Sequence, residues 1–234
     1  MAGVTALVST SNTANSTYYL SSTFTPAAGN LLIAFVGASG TVTTDAFLEI
    51  TTEPWRRFTL ITTAQWAASA NYLYAYVANG PATGAACVAR WDCTGDAATG
   101  SNINILGVSS MHRVGSNAIR QVAVQLNNGS STRPNPVFGF STSSINVIVG
   151  AVANDSSVAA MLPPTSWSEA FDSGYTTPLT GLETVYLNSG AISTTITWGS
   201  SSSSLNCAIV MELNTTTTDT WMGASLIAEM VRVY

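Results

Sequence analysis

A chain of 234 residues with 46% apolar residues can bury a sizeable core, and it lacks the low hydrophobicity and high net charge that disorder requires. Only 8% of its residues are charged, the net charge is −5, and all seven basic residues are Arg, which argues against a phosphate-backbone partner and so against nucleic acid. Ser and Thr make up about a quarter of the chain and cover the positions that charges usually take, so a free monomer carries a solubility risk that neighbours would relieve.

The opening Met1-Ala-Gly3 has neither a basic n-region nor an apolar h-region, so no secretory signal is read there. No apolar run reaches transmembrane length, and no membrane partner is expected. Residues 1–25 predict one or two strands, with Val4, Ala6 and Val8 alternating before Tyr19 to Phe24. Pro26-Ala-Ala-Gly29 is a turn. Leu31 to Val36 is a continuous apolar run, the mark of a strand covered on both faces. Residues 37–53 give a polar connection without a clear element, and the basic pair Arg56-Arg57 fits a solvated strand edge. Strands are predicted at Phe58 to Ile61 and at Leu73 to Val77, where Tyr72, Tyr74 and Tyr76 share one side. Val88 to Trp91 and Ile103 to Met111 follow. Residues 114–126 read as a strand, because Val122, Val124 and Leu126 alternate with Gln121, Ala123 and Gln125.

The second half then repeats the first. Asn30-Leu-Leu-Ile-Ala-Phe-Val-Gly37 returns as Asn146-Val-Ile-Val-Gly-Ala-Val-Ala153. Pro54-Trp55 returns as the prolines before Trp167, the strand Tyr72 to Gly80 as Glu183 to Gly190, Cys87 to Trp91 as Thr194 to Trp198, and Ile103 to Met111 as Leu205 to Leu213. The offset shrinks from 116 residues at the first element to 102 at the last, as shorter loops in the second copy would make it. A repeat of this length is a duplicated strand set rather than a solenoid. The predicted class is all-β, a β-sandwich or jelly roll built from two related strand sets, 1–120 and 121–214, packed together, with 215–234 as an interaction tail. Within that tail Met222, Leu226, Met230 and Tyr234 recur every four residues after a cap at Asp219 or Thr220, which predicts a short amphipathic helix that packs on its own chain or docks on a neighbour.

Groups that could carry chemistry are few. His112 is the only histidine, beside a strand end, and there is no Gly-x-Ser-x-Gly elbow, so no nucleophile–base pair is read. The twelve carboxylates are scattered, and a glycosidase-type pair such as Asp92 with Asp155 is left open. Asp92-Cys-Thr-Gly-Asp96 falls short of an EF-hand pattern. Cys87, Cys93 and Cys207 form no CxxC pair, no zinc site is expected, and buried free thiols are favoured over one bridge with a cysteine left over. No cofactor or metal is expected. Of six tryptophans, two pairs fall at matching places in the repeat (Trp55 with Trp167, Trp91 with Trp198) and read as core. Trp66 has no counterpart, and is expected to be an exposed contact, as is Trp221 in the tail.

The order of a Gly29-Asn-Leu-Leu-Ile-Ala-Phe-Val-Gly37 strand, a Trp and short strand, Asn71-Tyr-Leu-Tyr-Ala-Tyr-Val-Ala-Asn-Gly80, Ala86-Cys-Val-Ala-Arg-Trp91 and an apolar closing strand resembles accessory structural proteins of tailed bacteriophages over about residues 17–213. The resemblance implies a non-enzymatic β-sandwich of the virion, a capsid decoration (cement) protein or a tail or fibre component, and brings no catalytic residues. Its partners would be the major capsid protein or other virion proteins, with a homo-oligomer natural on a symmetric lattice. Interface candidates are Val4, Ala6 and Val8, which could add a strand to a neighbour's sheet, with Trp66, Trp221, Met222, Leu226, Met230 and Tyr234. The rival readings are a glycan-binding jelly roll that uses Trp66, and a glycan depolymerase whose carboxylates converge.

Overall fold

A strand as apolar as Leu31–Ser39 needs cover on both faces, and the rest of the chain is arranged to give it. The computed structural model describes residues 2–40, 42, 46–66, 71–80, 84–111, 115–127, 133–155, 161–176, 179–189, 193–200 and 205–215. In chain order the strands are β1 (Val4–Asn12), β2 (Tyr18–Leu20), β3 (Leu31–Ser39), β4 (Phe47–Ile50), β5 (Glu53–Arg57), β6 (Thr59–Trp66), β7 (Asn71–Asn79), β8 (Ala89–Asp92) and β9 (Gly100–Val108). After a 3-10 turn at Gly115–Ala118 come β10 (Ile119–Asn127), β11 (Ile148–Asn154), β12 (Ser168–Thr176), β13 (Leu179–Leu187) and β14 (Asn206–Leu213). The fold is all-β, with three antiparallel sheets.

Two of these sheets have the same topology. The first runs β1-β9-β3-β7-β6 and the second β10-β14-β11-β13-β12. Register fixes the correspondence. Ile33 pairs with Val77 and Leu106, as Val149 pairs with Tyr186 and Met211. The offsets are therefore 116, 109 and 105 residues, and the last replaces the 102 expected from the sequence. A bulge recurs as well: β6 skips a residue between Leu60 and Thr62, and β12 between Glu169 and Phe171. A bulge bends its strand and resets which face each later side chain takes.

The sheets pack face to face. Leu31, Ile33, Phe35, Leu73, Ala75, Val77, Leu106 and Val108 of the first meet Val147, Val149, Ala151, Leu182, Ile209 and Met211 of the second in one dry core. The edges cross over reciprocally, with β1 against β12 and β6 against β10, so the two repeats are related by an approximate twofold axis like the subunits of an isologous dimer. The odd-numbered residues of β3 enter this core, and the even-numbered Leu32, Ala34 and Val36 face the other way into a second core. Alternation in a strand with two covered faces gives the unbroken apolar run.

That second core is closed by the third sheet, β2-β8-β4-β5, through Tyr19, Leu48, Ile50 and Trp91. On the second repeat the outer face is covered differently. Phe138, Met161, Ile196 and Trp198 lie over Ile148, Val152, Val185 and Val210. The strand expected over Thr194–Trp198 is here only an isolated bridge, Val137 to Thr195, with Ile196 and Trp198 donating to the carbonyls of Pro136 and Pro134. Phe138 N–H donates back to the Thr194 carbonyl, but Pro134 and Pro136 have no N–H to return a bond, so the ladder does not extend. The expected helix at 219–234 lies outside the described residues.

Candidate functional site

The repeats differ in the connection that leads from β3 to β6 in the first and from β11 to β12 in the second. In the first, residues 40–58 include β4 and β5, and the Leu48 carbonyl accepts the Phe58 N–H. Phe58 is thereby buried. By the shared hairpin register its counterpart is Trp167, just as Thr59 corresponds to Ser168. The second repeat has a shorter connection, 155–167, and among its described residues no strand stands over Trp167, which is half-buried. What is a covered aromatic in one copy becomes the wall of a cleft in the other.

The cleft has a volume of about 520 Å³. Trp167, Leu187 and Ile196 supply its apolar surface, and Thr165, Ser166, Ser189, Thr195 and Thr197 bring hydroxyls to it. Among the described residues lining it none is charged. Ser166 holds a positive φ of 71°, a conformation costly for a side chain other than Gly, at the turn where Trp167 N–H donates to the Pro164 carbonyl. The Trp55–Trp167 pairing expected from the sequence is thus corrected to Phe58–Trp167, whereas Trp91 and Trp198 are both fully buried.

Deeper on the same sheet face stands an ionisable group with no equivalent in the first repeat. Tyr74 packs against Trp91 with ring centroids 5.4 Å apart. The corresponding Glu183 sits against Trp198, whose Nε1–H donates to Glu183 Oε2 at 2.9 Å. Glu183 is fully buried, and among the described residues its Oε1 has no hydrogen-bond partner. Burial pushes its carboxyl up to about 8, against the Trp198 hydrogen bond and aided by the charges of Glu169 and Asp172. Asp172 lies directly across the β12–β13 ladder and is itself raised to about 6, by burial and then by Glu169. These three carboxylates were not grouped from the sequence, because their proximity depends on the bulge in β12. Glu212 is the opposite case. It is buried too, which alone would raise it, but the Ser143 N–H, Asn146, Gln121 and Arg120 all donate to it and hold it below its ordinary value.

Trp66 is not an exposed contact. It is fully buried at the end of β6, and its Nε1–H donates to Asp155 Oδ1 at 2.7 Å, which also accepts from Asn71 Nδ2 at 3.1 Å. It also has a counterpart. Tyr175 takes the same place on β12 and donates to Ser39 Oγ at 2.8 Å, and Ser39 and Asp155 end equivalent strands. Each aromatic reaches across the twofold interface to the other repeat. What the two repeats share at this place is a large aromatic with a polar tip, Trp in one and Tyr in the other, so matching tryptophans alone does not reveal the pair.

Val4, Ala6 and Val8 belong to β1, which pairs with β9 of its own chain. The strand is an edge of the first sheet. Val4 N–H, on the outer side, donates to Asn188 Oδ1 at 2.9 Å; Ala6 is exposed and Val8 buried. Trp221, Met222, Leu226, Met230, Tyr234 and His112 lie outside the described residues. Asp92 and Asp155 are not brought together, since the first sheet stands between β8 and the end of β11. Asp92 instead pairs with Arg90 at 2.6 Å and caps the Thr94 N–H. All three cysteines are buried free thiols. Among the described residues no group of three or more His, Cys, Asp or Glu is placed to hold a metal ion, and no helix is long and apolar enough to cross a membrane. Comparison with family models, with curated proteins and with solved structures returned no match.

Proposed function

We propose that this chain is a non-enzymatic virion structural protein of the capsid-decoration kind, acting through protein–protein contacts. The observation that supports this most is the character of its two outer layers. Tyr18 and Leu20 on β2 project from one end of the stack, and Val137, Phe140 and Ile145 from the other, all of them between 45% and 58% exposed. Beside them an Arg is laid over an aromatic ring at each end, Arg90 on Tyr18 at 4.6 Å and Arg120 on Phe140 at 4.7 Å, each also paired with a carboxylate, Asp92 and Glu212. Aromatic and Arg side chains together make the strongest contacts in protein interfaces. Between these ends a jelly-roll-type body would serve as a rigid spacer, and a helix over 219–234 would supply a further docking element toward the shell or toward other copies in a homo-oligomer. Binding to the assembled shell stabilises it by mass action.

The test is sedimentation of the purified chain with phage particles that lack it. It should move into the pellet with the particles and raise their resistance to heat, and a Tyr18→Ser, Leu20→Ser, Phe140→Ser variant should be left in the supernatant. A wild-type chain that stays monomeric and unbound at every concentration tried sinks the proposal.

A further inference from the structure

The two outer faces of this molecule follow one plan, and the described residues cover them with a sheet on one and with loops around a cleft on the other. We infer that the cleft at Trp167 is a binding site for a short neutral saccharide. The inference stands apart from the shell-binding role, since it concerns a concave site rather than the exposed ends of the stack.

Three features identify the ligand's chemistry. The first is charge. With no ionic group among the described lining residues, a phosphate, a carboxylate or a cation would lose hydration there without gaining a charged partner, which is costly. The second is the pairing of an aromatic face with hydroxyls. A sugar ring has C–H faces that pack on an indole and a rim of hydroxyls that both donate and accept. Ser166, Ser189 and Thr197 carry hydroxyls, uncharged groups with that same dual capacity. The third is size and form. About 520 Å³ lies within the range of small-molecule sites, roughly 300–1,000 Å³, and the walls bring together the turn before β12, Leu187 at the end of β13 and the segment around Ile196.

The comparison between repeats makes the cleft more than a packing gap. Phe58 shows how the fold buries an aromatic at this place when β4 is present. At Trp167 the aromatic is larger and, among the described residues, no strand lies over it, so the indole is only half-buried. The strained Ser166 beside it fits a turn held for its outward geometry rather than for local comfort.

The experiment is titration of the full chain with maltose, cellobiose and lactose, each to about 10 mM, with glucuronate and glucose-6-phosphate as charged controls, followed by tryptophan fluorescence and calorimetry. At least one neutral disaccharide should bind with a dissociation constant in about the millimolar range or tighter, and the charged probes should not. Trp167→Ala should weaken that binding by about tenfold or more. If this variant loses its cooperative melting transition, Thr197→Trp replaces it: the position is exposed on the rim, and the added ring fills the cleft without touching the core. Binding that survives in both variants, preference for the charged probes, or no binding by any neutral disaccharide overturns the inference.

Discussion

Glu183 shows how one residue can set the response of the whole fold to pH. The folded carboxyl titrates at about 8, against 4.5 for the free group, so the native state holds this proton more tightly than the unfolded chain. Stability from it is fully present below pH 4.5 and is lost as pH rises toward 8, with no further loss above. Asp172 adds a change of the same sign between 3.8 and about 6. Glu212 works in the other direction, but only below the ordinary carboxylate range, where its native hydrogen bonds would be protonated away. The melting temperature should therefore fall between pH 5 and pH 8.5, and Glu183→Gln, which keeps the shape of the protonated group, should flatten most of that slope. Calorimetry across the interval decides it, and parallel slopes for the two proteins would dismiss Glu183 as the cause. Nothing in the sequence marks Glu183 as special. Its environment comes from Trp198 folding over it and from the β12 bulge that turns Glu169 to the same side, both of them tertiary facts.

At the level of strands, the reading from sequence was accurate where a pattern depends on the strand alone. Leu31 to Val36 and the tyrosine ladder Tyr72, Tyr74, Tyr76 lie where alternation placed them, with the tyrosine rings stacked 5.8 and 5.9 Å apart. It failed where cover decides the outcome. β4 was hidden in a polar stretch, and Thr194–Trp198 looked like a strand although its partner segment carries prolines at 134 and 136. The places of Trp66 and Trp167 were misjudged because the fold conserves an aromatic there and not a particular one. The close approach of the two sheets gives a sharp test at Gly100, the first residue of β9. A methyl group there would lie 2.6 and 2.8 Å from carbons of the Tyr175 ring and 2.9 Å from the Asn12 carbonyl oxygen. Tyr175 cannot swing away without giving up Ser39. Gly100→Ala should cost about 1–3 kcal/mol by denaturant titration. A variant as stable as the wild type would mean that the sheets have slack at this edge.

Taken whole, the molecule is a fused dimer whose central core belongs to neither half. Residues 1–114 alone would expose the face built on Leu31, Ile33, Phe35 and Leu106, and residues 115–215 alone the face built on Val149, Ile209 and Met211. Apolar patches of that extent are not tolerated on free monomers. Expressed separately, each half should aggregate; expressed together, they should purify as an equimolar complex. Either half melting cooperatively as a monomer would show that the shared core is dispensable. The fusion also does something that two identical subunits cannot. A true dimer looks the same from both ends, so a surface that accepts one end accepts the other. Here a third sheet closes one end and a set of loops with an open hollow closes the other, and the molecule acquires a front and a back. Anything that grips it by one side must orient it, and every copy so held turns the same distinct side outward.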